Sequence, residues 1–359
     1  TFFYDAPDGD ARLLTIVDDF LISEPKGGTI AARTIAALKE AFNGEVKSER
    51  EPTSFAGYKI LRDRLQKLLK LSMPQKVRDA VREHLPQLAD TDAAPKLPSA
   101  LELRRIADSL EMPERSGRLD ACQVRIQRKI GSLKFIERVM PALTLALHRL
   151  SCVMSCPPHA AEAVCDSLLV YAWRHIDDGI TYGGDGPADS ERLQGRLAAN
   201  ISLDQPAAQA LEAAADATWS ERADRNVYSL LLTYCRGAIA HGTKKLGLLL
   251  DSSHEAEAIG SAKAGELVSY AREVLRTLGD LPADRTTILT DNKANLLVAT
   301  NSASAQRSRH FLRRYFALRQ RMAAGECRLV KVDDANMPAD FMTKWLSGPK
   351  FRASLTYAT

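Results

Sequence analysis

The segment 179–190 (GITYGGDGPADS) concentrates Gly, Pro and Asp and is the best linker or hairpin-loop signal in the chain. Such residues end regular structure: Gly admits backbone conformations closed to other residues, and Pro withdraws a hydrogen-bond donor. A domain boundary is expected close to it, because the patterning differs on its two sides. Before it, residues 131–153 and 160–173 are apolar and rich in Leu and Ala, as packed helices are. After it, β-prone runs alternate with helical ones, the pattern of a mixed sheet flanked by helices. At roughly 150 residues per domain, a chain of 359 residues accommodates two or three compact units.

Near the start, Leu13, Leu14, Ile16, Val17, Phe20, Leu21 and Ile22 bracket Asp18 and Asp19, which predicts two short strands meeting at an acidic turn. Helices are expected around 30–42, 58–71 and 75–88, with Pro52, Pro74, Pro86, Pro95 and Pro98 as punctuation. Past the boundary, 227–239 predicts strand and turn. Ser252 opens a helix whose apolar positions Ile259, Ala262, Leu267, Ala271, Val274 and Leu278 recur at helical spacing. The runs 287–290 and 329–332 read as strands, 306–322 as a basic helix and 338–346 as a final short helix.

Hydrophobic residues make up 45% of the chain and charged ones 26%, which is the composition of a folded protein. No apolar stretch approaches the roughly 18–20 residues of a membrane-spanning helix. The opening residues have no basic flank leading into an apolar core, so neither a signal peptide nor a membrane partner is expected. Six cysteines (Cys122, Cys152, Cys156, Cys165, Cys235, Cys327) lack paired spacing. Free thiols in a reducing interior, cytoplasmic or nuclear, are the expected state. The formal charge of +4 is too small to imply a polyanionic partner, so any such argument must come from local clustering. The chain opens at Thr1 instead of Met and reads as a fragment of a longer protein.

In the last third, Asp216, Glu257, Asp291 and Asp340 each stand beside the start or end of an expected element. Strand ends on one edge of a sheet, with the first turn of a helix, can bring all four together. Crowded carboxylates repel one another and drift toward the neutral form unless a cation holds them, and hard Mg²⁺ prefers oxygen donors. Two such ions about 3.5–4 Å apart support phosphodiester cleavage. Surface acids are common, however, and 45 Asp and Glu make any four of them weak evidence alone.

Local strings then occur in one order: Asp216-Ala217-Thr218-Trp219, Lys244-Lys245, the run from Ser252 through His254, Glu255 and Glu257 to Ile259, Thr290-Asp291-Asn292-Lys293-Ala294, Ser308-Arg309-His310, and Pro338-Ala339-Asp340-Phe341-Met342-Thr343-Lys344. This series resembles the ribonuclease H domain of copia-type LTR retrotransposon polyproteins. Upstream, Ile16-Val17-Asp18-Asp19-Phe20-Leu21-Ile22 resembles that family's reverse-transcriptase palm hairpin. Ile130-Gly131-Ser132-Leu133 and the stretch from Leu150 to Gly183, with Met154-Ser155, Pro157 and His159, resemble its connecting region. The similarity spans nearly the whole chain.

The resemblance implies an α/β (α+β) architecture. A truncated palm is expected at 1–70, a helical thumb and connection at 71–185, and a ribonuclease H-like five-stranded mixed sheet flanked by helices at 205–350. It implies Asp216, Glu257, Asp291 and Asp340 as metal-binding carboxylates for two Mg²⁺, with Mn²⁺ as a substitute. The implied partners are an RNA–DNA hybrid, whose RNA strand is hydrolysed to leave a 3′-hydroxyl, and the missing N-terminal part of the polyprotein. Ser252 followed by Glu255 is a capping-box spacing, which gives Glu255 a structural task and leaves Glu257 for the metals. His254 can act as ligand or proton shuttle, although a histidine at a helix start is more often a solvated polar residue. Asp18 and Asp19 match the polymerase hairpin. The earlier palm strand with the third catalytic Asp would precede Thr1, so the chain alone is not expected to polymerise DNA. Val332-Asp333-Asp334 repeats the tripeptide and reads only as a strand end.

Arg307, Arg309, Arg313, Arg314, Arg319 and Arg321 fall within fifteen residues that contain no acid, with Phe311, Leu312, Tyr315, Phe316 and Met322 as an apolar stripe. The stripe is expected to face the sheet and the guanidinium groups the phosphates, Arg307, Arg309, Arg313 and Arg314 above all. Cys152, Cys156, His159 and Cys165 fit no strong zinc spacing, and Trp173, Trp219 and Trp345 read as packing residues. Two alternatives stay open: a catalytically dead relic that binds nucleic acid at most, and a helical scaffold. The first draws on 207–215, an Ala-rich stretch of helical preference where the resemblance asks for a strand.

Overall fold

A computed structural model describes residues 5–6, 9–16, 19–24, 27–91, 96–114, 118–184, 209–220, 226–247, 250, 252–300 and 312–359. Strands β1 (Asp5–Ala6), β2 (Gly9–Ile16) and β3 (Asp19–Ser23) form an antiparallel sheet in that order, and helix α1 (Ile30–Ala41) follows. The β2–β3 pairing runs from Arg12↔Ser23 to Ile16↔Asp19.

A second antiparallel sheet joins β4 (Ser54–Phe55), β5 (Tyr58–Asp63), β6 (Leu68–Ser72) and β7 (Gly179–Gly183). Two expectations fail here. The segment 58–71 is a hairpin and not a helix: Asp63 Oδ1 accepts from the N–H groups of Leu65 (2.9 Å) and Gln66 (3.0 Å), and Lys67 sits at φ 52°, so the chain reverses between two strands. Helix-forming Leu, Lys and Arg are overridden because β7, far along the chain, supplies a partner, pairing from Leu68↔Gly183 to Ser72↔Gly179. For the same reason the start of the expected linker, GITYG, is a strand, while 185–190 lies outside the described residues. A domain boundary at 70/71 would fall inside β6.

Between β6 and β7 run α2 (Pro74–His84), α3 (Pro86–Thr91), α4 (Ala100–Ser109), α5 (Ala121–Ile136), α6 (Thr144–Cys152) and α7 (Ala161–Arg174). They bury Val81, Ile126, Ile130, Leu133, Leu147 and Leu169 in one core. Helix α5 opens on a capping box, in which Asp120 accepts from the Gln123 N–H and the Gln123 side chain accepts from the Asp120 N–H.

The third sheet contains β8 (Glu212–Thr218), β9 (Val227–Tyr234), β10 (Gly237–Lys245), β11 (Thr286–Thr290) and β12 (Cys327–Lys331), in the order β10-β9-β8-β11-β12. The first three are an antiparallel meander, and β8, β11 and β12 are parallel. Helices α8 (Ser253–Thr277), α9 (Lys293–Thr300), α10 (Leu312–Ala323) and α11 (Gly348–Ala358) flank it. This is the five-stranded mixed sheet flanked by helices that the resemblance implies, and with it the helical-scaffold alternative falls.

Residues 212–215 of the Ala-rich segment open the central strand, against their helical preference. Ala213 and Ala215 pack with Ala258, Ala264 and Val268 of α8, while Ala214 on the other face packs with Phe341 and Tyr357. A strand covered on both faces needs small side chains more than it needs β propensity. The segment 338–346 forms only a 3-10 turn, Asp340–Met342; the final helix is α11, with Pro349 in its first turn, where the missing N–H costs nothing.

Two glycines in α8 test this packing. A Cβ on Gly260 would meet Ala217 Cβ at 3.8 Å, ordinary contact, whereas on Gly265 it would meet Leu318 Cδ1 at 3.1 Å. Gly260→Ala should therefore stabilise by about 0.5–1 kcal/mol, the helix-propensity gain. Gly265→Ala should show no such gain in urea denaturation, because the Leu318 side chain of α10 must give way.

Candidate metal centre

Parallel strands β8 and β11 deliver two acids to the same end of the sheet: Asp216 near the C-terminal end of β8, and Asp291 as the first residue past β11. The chain leaves β11 through a polar turn. The Asn292 N–H donates to Thr290 Oγ1 (3.3 Å), and Asn292 Oδ1 accepts from the Asn295 N–H (2.9 Å), which starts α9. Asp340 arrives from the 3-10 turn before α11. One carboxylate oxygen from each of Asp216, Asp291 and Asp340 lies within 4.8 Å of the others. Glu257, one turn into α8, accepts from the Ala217 N–H at 3.3 Å and so stands against the residue next to Asp216. Ser252 caps that helix by accepting from the Glu255 N–H at 3.3 Å.

The cluster is dry. Asp216 is 1% exposed, Asp340 0% and Glu257 6%. Burial, then the neighbouring Asp216 and Asp291, pushes Glu257 up to about 9. Burial also raises Asp216 well above the usual carboxylate range, although Lys344 pulls against it, and burial raises Asp291. Two lysines partly neutralise the charge. Lys344 Nζ lies 2.9 Å from Asp340 Oδ1 and 3.3 Å from Asp216 Oδ1, while Lys350 Nζ pairs with Asp340 Oδ2 and with Asp334 Oδ2 (3.3 Å). Burial opposes the Lys344 charge, but Asp216 and Asp340 hold its ammonium group well above the ordinary value. Thr343 Oγ1 donates to Asp216 Oδ2. Converging oxygen donors, buried and short of positive charge, fit a hard divalent ion.

Sequence reasoning missed the lysines' part and that of Asp334. Lys344 stands four residues after Asp340 in the same motif, a spacing that returns a side chain to the same side of a tight turn. Asp334, expected only to mark a strand end, ion-pairs with Lys350 and lies 3.9 Å from Lys344. Asn295, fully buried in α9, donates to Ser261 Oγ at 2.6 Å and ties α9 to α8 behind the acids.

Other expected sites are distributed differently. Asp18 lies outside the described residues; Asp19 begins β3, is exposed and belongs to no group of metal-capable side chains among those described. Arg307 and Arg309 also lie outside them, and Arg313 and Arg314 are placed in α10 by their backbone alone. Arg319 and Arg321 do not face solvent phosphates as a uniformly basic helix would have them. Arg319 donates to the carbonyls of Ala299 (3.2 Å) and Val298 at the end of α9, and Arg321 Nε donates to Ser269 Oγ (2.9 Å) on α8. The apolar stripe is narrower than expected as well: Tyr315 and Leu318 are buried, but Phe316 is exposed. His254 Nε2 lies 2.9 Å from Tyr315 Oη, so this half-buried side chain is held in place.

A second group, Asp120, Cys122 and His159, also has ligand atoms within 4.8 Å. There Asp120 caps α5 and pairs with His159 at 2.7 Å, and Cys156 and Cys165 are buried and do not belong to the group. Trp219 and Trp345 donate to Leu250 O (2.9 Å) and Asp108 Oδ1 (3.0 Å), structural bonds both. Among the described residues no helix is long and apolar enough to cross a membrane.

No protein-family model matches the chain. It is similar to the retrovirus-related Pol polyprotein from transposon TNT 1-94 of Nicotiana tabacum, 24% identical over 340 residues, which is 94% of this chain and 24% of the relative. It is likewise similar to the retrovirus-related Pol polyprotein from transposon RE2 of Arabidopsis thaliana, 25% identical over 345 residues, covering 95% and 21%. The chain thus spans between a fifth and a quarter of the length of these curated relatives. Among solved structures, the N-terminal RNase H domain of Rv2228c from Mycobacterium tuberculosis, fused to maltose-binding protein, is similar at 16% identity. The match covers 40% of this chain and 96% of that one with a TM-score of 0.27. Similarity to copia-type retrotransposon Pol polyproteins therefore extends along nearly the whole chain, as the motif series implies.

Buried charge at the centre and the inward-turned arginines can each be tested. The folded protein keeps a proton on Glu257 that the unfolded chain releases near 4.5. This contribution to stability is complete below that value and lost as pH rises through about 9. Without divalent ions, Glu257→Gln should raise Tm by several degrees at about pH 9 and hardly at all at about pH 4. Arg319→Ala should lower stability by about 1–3 kcal/mol in denaturant titrations, by stripping donors from the end of α9, and should leave the salt dependence of nucleic-acid binding unchanged.

Proposed function

We propose that this chain is a reverse transcriptase–ribonuclease H portion of a retrotransposon Pol polyprotein, and that its C-terminal unit hydrolyses the RNA strand of RNA–DNA hybrids with divalent ions. The observation that carries this reading is the convergence of Asp216, Asp291 and Asp340 within 4.8 Å at one end of a ribonuclease H-like sheet. Glu257 stands beside them. The similarity to Pol polyproteins supports the substrate class.

Asp216, Glu257, Asp291 and Asp340 would hold two Mg²⁺, with Mn²⁺ as substitute. When bound, such ions polarise the scissile phosphate and lower the pKa of water. The chain's own residues do the rest. Burial excludes competing water from Asp216 and Asp340, Thr343 orients the Asp216 carboxylate, and the Ala217 N–H orients Glu257. These groups are locked before substrate arrives, so little reorganisation is left for the reaction itself. Helix α10, which packs on α8 through Tyr315 and Leu318, would carry Arg313 and Arg314 to the phosphates, with Arg307 and Arg309 preceding it. The hairpin with Asp18 and Asp19 is a polymerase remnant that would need the rest of the polyprotein to polymerise DNA.

A second reading, a catalytically dead relic that still binds nucleic acid, is favoured by Lys344 and Lys350 lying inside the acid cluster. A labelled hybrid with Mg²⁺ separates the two, since binding without cleavage selects the relic. Asp291→Asn should cut cleavage by about a hundredfold or more while sparing hybrid binding; normal cleavage by that variant would remove Asp291 from the site. Arg313→Ala and Arg314→Ala should each weaken binding and reduce the slope of log affinity against log salt by about 1 for each phosphate left without its guanidinium partner.

A further inference from the structure

The acid cluster is unevenly neutralised. All four carboxylate oxygens of Asp216 and Asp340 already have donors: Lys344 Nζ on Asp216 Oδ1 (3.3 Å) and Asp340 Oδ1 (2.9 Å), Thr343 Oγ1 on Asp216 Oδ2, and Lys350 Nζ on Asp340 Oδ2. The ion pairs of Lys344 go to Asp216, Asp334 (3.9 Å) and Asp340. Asp291 and Glu257 are ion-paired to neither lysine among the described residues.

The turn that presents Asp340 makes this arrangement local. The N–H groups of Thr343 (3.0 Å) and Lys344 (2.8 Å) both donate to the Asp340 carbonyl, so the ammonium is tethered to the same turn as the carboxylate it neutralises. Lys344 keeps 38% of its side chain exposed, against 14% for Lys350. It has a path out toward solvent, and Lys350 is the more firmly packed of the two.

We infer that Lys344 is a built-in cation occupying the Asp216–Asp340 half of the centre, so that a divalent ion enters that half only by displacing its ammonium group. Asp291 and Glu257, which carry no lysine ion pair among the described residues, take an ion without that exchange. Lys344 is a positioning residue. It keeps buried like charges compatible with folding before metal arrives, and it makes filling of the centre stepwise, one ion binding more tightly than the other. Once displaced, its flexible stem leaves the ammonium at the mouth of the centre, where an anionic phosphate would neutralise it in turn. This inference rests on the metal-dependent reading proposed above.

The test is a titration of the metal-free full chain with Mn²⁺ alone, followed by calorimetry and by the electron paramagnetic resonance signal of free Mn²⁺. Wild type should bind one ion tightly and one weakly. Lys344→Met, and Lys344→Gln as an independent substitution, should tighten the weak step by about tenfold or more, as removal of an occluding state does. Asp291→Asn should lose the tight step. A folded Lys344 variant with unchanged or weaker Mn²⁺ binding, alongside loss in Asp291→Asn, overturns the built-in cation and leaves the metal centre standing. Absence of Mn²⁺ binding in both wild type and Lys344→Met overturns both. A measurement on wild type needs no substitution: amine acetylation of Lys344, followed by mass spectrometry, should speed several-fold as the weak step fills, and a constant rate across that step also overturns the inference.

Discussion

Buried like charges are the constraint around which the C-terminal half is arranged. Asp216, Glu257 and Asp340 are nearly inaccessible to water, and burial favours the protonated form of Asp216 and Glu257, so the fold carries an electrostatic cost at this edge of the sheet. Lysine ammonium groups, a threonine hydroxyl and a backbone N–H offset part of it. A centre that stays strained without its ions is one that gains most by binding them.

Such a centre needs elements that approach closely. Asp216 sits on a strand of alanines because α8 on one face and the segment before α11 on the other must both come near. Larger side chains would push Glu257 and Asp340 away from it. Gly260, with Ala217 Cβ, Tyr228 Cβ and Asp216 O at about van der Waals distance from an added Cβ, belongs to the same close-packed seam. Parallel pairing of β8 and β11 puts Asp216 and Asp291 at matching ends, which an antiparallel pair of those strands would not do.

The helical unit braces this edge. Asp108 at the end of α4 accepts from the Trp345 indole directly after Lys344, and Thr144 Oγ1 lies 3.3 Å from His241 Nδ1 on β10. Strand β7 completes the second sheet and meets the β9–β10 turn, where Gly183 N–H donates to Cys235 O at 2.6 Å and Tyr182 Oη to Ala238 O at 2.8 Å. The start of the segment whose composition suggests a linker is thus a joint between the second and third sheets.

Local pattern was enough for much of this. The capped helix at Ser252, the strand ending at Asp291 and the acidic hairpin pairing up to Ile16↔Asp19 follow from short-range chemistry: caps, turns and periodicity act within a few residues. What tertiary structure alone decided involves partners far away in sequence. The segment 58–71 became strands because β7 pairs with it, the alanines around Asp216 became a strand because both faces are covered, and Arg319 and Arg321 turned inward because α8 and α9 offer acceptors. The role of Lys344 was hidden for the same reason. A lysine near an aspartate in sequence is commonplace, and only the fold, by bringing Asp216 across 128 residues to the same ammonium group, turns it into part of the centre.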